Sequence, residues 1–110
     1  MTPAALRAKR YAVTDVLSDL RGAQPGGETA VVASRLWQQA ADLLLRAHGR
    51  WTGAGKALLR EVRGYDASAG TAYSASLVEG LAAACAGDAT ALIRATESVL
   101  DLVGGALFDG

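Results

Sequence analysis

The sequence predicts an all-α protein, an up-and-down bundle of four long helices with one short helix across an end. Three observations predict it. Apolar residues recur at intervals of three and four, alanine is abundant while β-branched runs stay short, and glycine clusters cut the chain into helix-length pieces. With 110 residues, 51% of them hydrophobic, the chain suits a single helical domain over residues 1–110 built on one modest core. It shows no internal repeat of the kind that builds a solenoid.

Thr2 followed by Pro3 reads as an N-cap and first helical residue. Leu6, Arg10, Val13, Leu17 and Leu20 then recur at helical spacing, giving the first helix its inward stripe. The segment RGAQPGGE breaks it with three glycines and a proline. A second helix is expected from about Glu28 to His48, with Val32, Leu36, Ala40, Leu43 and Ala47 on one face and Trp37 and Leu44 widening it. It stops near Gly49. After a flexible Gly53–Gly55 stretch, a short third helix from about Lys56 to Gly64 gathers Leu58, Leu59 and Val62 and leaves Arg60, Glu61 and Arg63 in water. Asp66 is the expected N-cap of a fourth helix running through Tyr73, Leu77, Leu81 and Ala84 to about Gly87, weakened by Gly70 and Gly80. Asp88 caps a fifth, with Leu92, Thr96, Val99 and Val103 on a face flanked by Ile93 and Leu100, until Gly104 and Gly105 stop it.

Composition narrows the function classes. Eleven basic residues balance eleven acidic ones, so the broad positive field of nucleic-acid and anionic-membrane binders is absent, and no direct nucleic-acid binding is expected; a local basic patch stays open. No segment has the length and apolarity of a membrane span or the h-region of a signal peptide. The single cysteine, Cys85 in LAAACAGD, excludes a disulfide framework, reads as core filler and points to a reducing, cytoplasmic setting. One histidine and one cysteine far apart cannot make a zinc site, and no metal ligands are assigned. Asp15 and Asp19, one turn apart, are the weak exception.

The stretch HGRWTGAGKALLR, residues 48–60, imitates a phosphate loop but fails as one. The P-loop pattern would need glycine where Arg50 stands and a hydroxyl where Ala57 stands. A dinucleotide fingerprint fails too, since Leu58 replaces its third glycine and no strand precedes it. What the segment does concentrate is His48, Arg50, Trp51 and Lys56, with Arg46 and Arg60 a turn to either side. Cations beside an indole can hold an anionic or hydroxyl-rich ligand by charge-assisted hydrogen bonds and stacking. They can equally complement the helix macrodipole while Trp51 plugs the bundle's end and His48 caps. No nucleophile neighbours His48, and no catalytic residue is assigned.

Three segments together, RAKRYAVTDVLSDL, LLLRAHGRWTGAGKALLREVRGYD and GDATALIRATESVLDLVGGALFDG, resemble the C-terminal helical region of bacterial nucleotidyltransferase-domain proteins, relatives of the aminoglycoside adenylyltransferases. The likeness spans nearly the whole chain, and its most specific part is the HGRW…G.GK segment with the opening KRYA.TD.L.DL. Where that family has a second tryptophan after the lysine, this chain has Ala57. The resemblance implies a substrate-binding or interaction domain, non-catalytic alone, whose partner is a nucleotidyltransferase catalytic domain or chain. Magnesium and nucleotide would belong to that partner, because the Gly-Ser pair and Asp-x-Asp cluster of its catalytic half do not occur here. Carried over, His48, Arg50, Trp51 and Lys56 would face the pocket or partner, with Tyr11, Thr14 and Asp15 of the opening motif flanking it. The HEPN ribonuclease signature is absent, since Leu43, Asp42 and Ala41 stand where its arginine would be. The alternative reading is a structural bundle that self-associates as a homodimer through its apolar faces and binds no ligand.

Overall fold

Five helices follow one another in a computed structural model that describes residues 2–24 and 26–108. They are α1 (Pro3–Arg21), α2 (Gly27–Ala47), α3 (Lys56–Ala69), α4 (Tyr73–Cys85) and α5 (Thr90–Asp101), and the described residues contain no strand. The all-α bundle expected from the sequence is the fold. Its extents of 36 × 34 × 20 Å make a slab about two helices thick.

The helix starts follow from local chemistry. Thr2 accepts a hydrogen bond from the Ala5 N–H at 3.1 Å with Pro3 opening the first turn, so α1 begins as predicted. Pro25 of the first connection lies outside the described residues. Beside it, the Glu28 carboxylate reaches back to the Gln24 N–H (3.2 Å) and the Thr29 hydroxyl donates to the Gln24 carbonyl (2.9 Å), which fixes the entry into α2. Gly49 adopts φ 68° just past the end of α2, the left-handed value that a side chain would resist.

α2 is the common wall of the bundle. It packs against every other helix, while α4 and α5 form the closest pair and α1 also reaches α5. Its inward face is therefore wider than the stripe predicted: Ala33, Ala41 and Leu45 are buried along with Leu36, Ala40, Leu43 and Leu44. Leu17 from α1, Leu58 and Val62 from α3, Leu77 from α4, and Leu92, Val99 and Leu100 from α5 close the core around it.

Four sequence expectations need correction. The third helix does not stop at Gly64 but continues to Ala69, where Gly70 at φ 70° ends it; one glycine costs a helix only about 1 kcal/mol, less than the hydrogen bonds of Asp66 and the packing of Tyr65 beyond it supply. Asp66 accordingly lies inside α3, yet it still caps α4 from across the turn. Its carboxylate accepts the N–H groups of Tyr73 (2.9 Å) and Ser74 (2.8 Å) and the Thr71 hydroxyl (2.6 Å). Gly80 is not merely a weak point in α4. A Cβ there would stand 2.7 Å from the Leu92 Cα, so its bare backbone is what lets α5 approach. Cys85 is exposed and not core filler, because Ala84 takes the inward position of that last turn.

Candidate functional site

The connection between α2 and α3, residues 48–55, has little regular structure but firm attachments. The Arg50 N–H donates to the Leu45 carbonyl at 2.9 Å, which turns the chain back over the end of α2. Farther along, the Thr52 hydroxyl donates to Asp42 at 2.7 Å. The same carboxylate accepts Lys9 Nζ from α1 at 2.8 Å and Arg46 Nε at 3.0 Å, so one acid ties two helices and the loop together. Burial alone would raise the Asp42 pKa, but the hydrogen bonds from Lys9, Thr52 and Arg46 outweigh it and hold the carboxyl below its ordinary range. Asp42 and Thr52 are positioning residues that sequence reasoning misses. Asp42 sits at a spacing that suits a solvated helix face, and nothing local announces that three donors converge on it.

His48 is a strut. Its Nδ1 lies 2.8 Å from the Leu44 carbonyl, which can only accept, so in the neutral ring Nδ1 carries the proton and Nε2 accepts from the Tyr65 hydroxyl at 3.2 Å. The two rings pack 4.7 Å apart, tilted by 44°. Tyr65, the partner that gives His48 this role, comes from the part of α3 that the sequence pattern places outside the helix.

Arg50 and Trp51 stand differently. Arg50 is half-buried, its Nε has no hydrogen-bond partner, and no carboxylate lies within salt-bridge distance of it among the described residues. Its guanidinium lies against α3 at Gly64, where a Cβ would come within 3.2 Å of the terminal nitrogen. Trp51 is 86% exposed, which rules out the bundle plug. Together with Arg46, Gly49 and Thr52 these two residues line a cleft of about 300 Å³. Lys56, Arg60 and Arg63, all exposed, follow on α3 at positions i, i+4 and i+7, which share one helix face. Residues 46–63 thus carry Arg46, Arg50, Lys56, Arg60 and Arg63 against the single acid Glu61. The net neutrality of the chain conceals this asymmetry.

Tyr11 and Asp15 are both exposed on α1. Lys9, Ala12 and Val13 are the α1 residues that line, with Gly53 of the loop, a second cleft of about 220 Å³, and Tyr11 lies about 200° around the helix from Lys9. The structure does not bring Tyr11 or Asp15 together with the loop. Thr14 is buried and holds the segment after α5, because its hydroxyl donates to the Arg10 carbonyl (2.8 Å) and accepts the Leu107 N–H (2.9 Å). Arg10 assists by donating to the Gly105 carbonyl.

Among the described residues no three His, Cys, Asp or Glu side chains gather to hold a metal ion. No helix among the described residues is long and apolar enough to cross a membrane. The arrangement offers an aromatic face, an unneutralised guanidinium and a row of cations, which is binding chemistry. Comparison of the chain with protein-family models, curated proteins and solved structures finds no match.

Proposed function

We propose that this chain is a helical substrate-binding domain that serves a nucleotidyltransferase and does no chemistry alone. The observation that carries the binding part is Trp51: a large aromatic side chain left 86% in water, on a loop pinned to α2 at Arg50 and Thr52. Aromatic side chains bury well, and one displayed on a fixed backbone beside free cations is arranged for a ligand. The nucleotidyltransferase part rests on the resemblance of three segments that together span most of the chain. The exposed, unpaired Cys85 suits a reducing, cytoplasmic compartment.

The test joins the chain with a nucleotidyltransferase catalytic chain, or with a catalytic half restored in one polypeptide, and measures nucleotidyl transfer and association. Trp51→Ala and Lys56→Ala should each weaken transfer to the acceptor by about tenfold, the worth of one lost stacking or charge-assisted contact. Wild-type transfer and association in both variants refute the assignment. A stable homodimer that responds to neither nucleotide nor acceptor supports the self-associating bundle in its place.

A further inference from the structure

Five cations within residues 46–63 repel one another, and the carboxylates beside them in the sequence are Asp42, Glu61 and Asp66, the last taken up by Thr71, Tyr73 and Ser74. Asp42 is consumed by Lys9, Arg46 and Thr52, and Glu61 is one half-buried charge on α3. Arg50, Lys56, Arg60 and Arg63 form no ion pair among the described residues. Grouping like charges without counter-charge is costly unless an anion completes the set. The cations on α3 spread over about 10 Å of helix, too far for one small anion and suited to successive charges along a chain. At one end of the row, Arg50 laid on Gly64 leads back to the cleft where Trp51 presents its indole.

The surroundings of that indole select among polyanions. Trp51 is flanked by Gly49, Thr52, Gly53 and the two arginines, with no exposed large apolar residue beside it in the loop. A protein interface hot spot sits within an apolar, water-excluding patch, and the loop supplies none. Stacking an unpaired base needs only an aromatic face and cations for the adjoining phosphates.

We infer that Trp51, Arg50 and the α3 row Lys56–Arg60–Arg63 form a binding surface for single-stranded nucleic acid, one base stacking on Trp51 and the phosphates following the cations. This rests on the reading of the loop as the substrate side of the domain and names its acceptor class, a polynucleotide strand. The expectation of no nucleic-acid binding drawn from net charge averages this local row away.

The test titrates twelve-residue oligouridylate and oligothymidylate into the whole chain at 50 mM salt while following tryptophan emission. Trp37, the only other tryptophan, is half-buried and makes the Trp51→Ala variant the blank. Quenching should appear in the wild type, vanish in that variant, and come with an affinity loss of about tenfold or more. Four phosphate contacts give a salt slope of about −2.8, so affinity should fall about fiftyfold from 50 to 200 mM salt. Arg60→Gln with Arg63→Gln, at exposed positions, should flatten the slope by about 1.4 while thermal unfolding stays put. Preference between the ribo and deoxy strands assigns the source. No quenching with either strand, a slope indifferent to the double variant, or equal binding of poly-glutamate overturns the inference, the last in favour of an acidic polypeptide. Strand binding without nucleotidyl transfer alongside the catalytic chain removes the nucleotidyltransferase reading and leaves this one standing; transfer to some other acceptor without strand binding does the reverse.

Discussion

Replacing Asp66 by alanine should loosen the joint between α3 and α4 more than any other single polar change. The carboxylate satisfies two first-turn N–H groups of α4, at 2.9 and 2.8 Å, and one hydroxyl at 2.6 Å. A lost helix cap costs about 1 kcal/mol, and hydrogen bonds to a charged group about 1.5–3 kcal/mol each, reduced here because water can reach the exposed Thr71 and Ala72. We expect a total of about 2–3 kcal/mol, or a fall in Tm of about 8–12 °C for a domain of this size. Asp66→Asn keeps one neutral acceptor oxygen and should lose about 1 kcal/mol. The pH dependence is a second check. Burial raises the Asp66 pKa, but the Thr71, Ser74 and Tyr73 hydrogen bonds outweigh it and the net shift is downward. A carboxyl depressed on folding stabilises fully above its unfolded value, about 3.9, and this stabilisation disappears as pH falls through the folded value. The gap between wild type and Asp66→Asn in urea unfolding should thus be constant near neutrality and shrink below about pH 4. If Asp66→Ala unfolds within about 0.5 kcal/mol of wild type, or the gap persists undiminished at about pH 2, the cross-turn cap is not what holds α4.

Gly80→Ala should destabilise by about 1–3 kcal/mol in chemical denaturation despite alanine's better helix propensity, because the new methyl meets backbone of Leu92 at 2.7–2.8 Å and α5 must move. Thr14→Val should speed hydrogen exchange at the Leu107 amide to that of an unprotected group while the core helices keep their protection, since it removes the acceptor at 2.9 Å and little apolar contact. Asp42→Ala should cost about 1–2 kcal/mol and lower the fluorescence anisotropy of Trp51, because Thr52 and Arg46 lose their common anchor. An unchanged anisotropy would show that the Arg50–Leu45 backbone bond positions the loop by itself.

How legible the molecule is from its sequence depends on the range of the interactions. α1, α2 and most of α5 are readable because their signals are local: the Thr2–Pro3 start, the three-and-four spacing and the glycines at the ends of α1 and α2, although α5 stops at Asp101, ahead of Gly104. The α3–α4 boundary is not, because Asp66 looks like an N-cap and does an N-cap's work, but from the preceding helix and across a turn. Gly80 and Cys85 depend on which helix faces α4, information that a single helix does not carry. In the loop, sequence reasoning singles out His48, Arg50, Trp51 and Lys56 and cannot assign their roles. His48 has a role in scaffolding only because Tyr65 arrives, and Trp51 is free only because nothing else in the bundle covers it.

A helix that borders all four others leaves the bundle without a seam. Cutting the chain after α2 would strip Leu58, Leu77, Leu92 and Val99 from the Leu36–Leu45 surface, and cutting before it would leave α3, α4 and α5 with no floor. Neither portion could then persist as a folded fragment, so proteolysis within residues 48–55 should yield either a nicked complex that stays associated or complete digestion, with no stable intermediate piece.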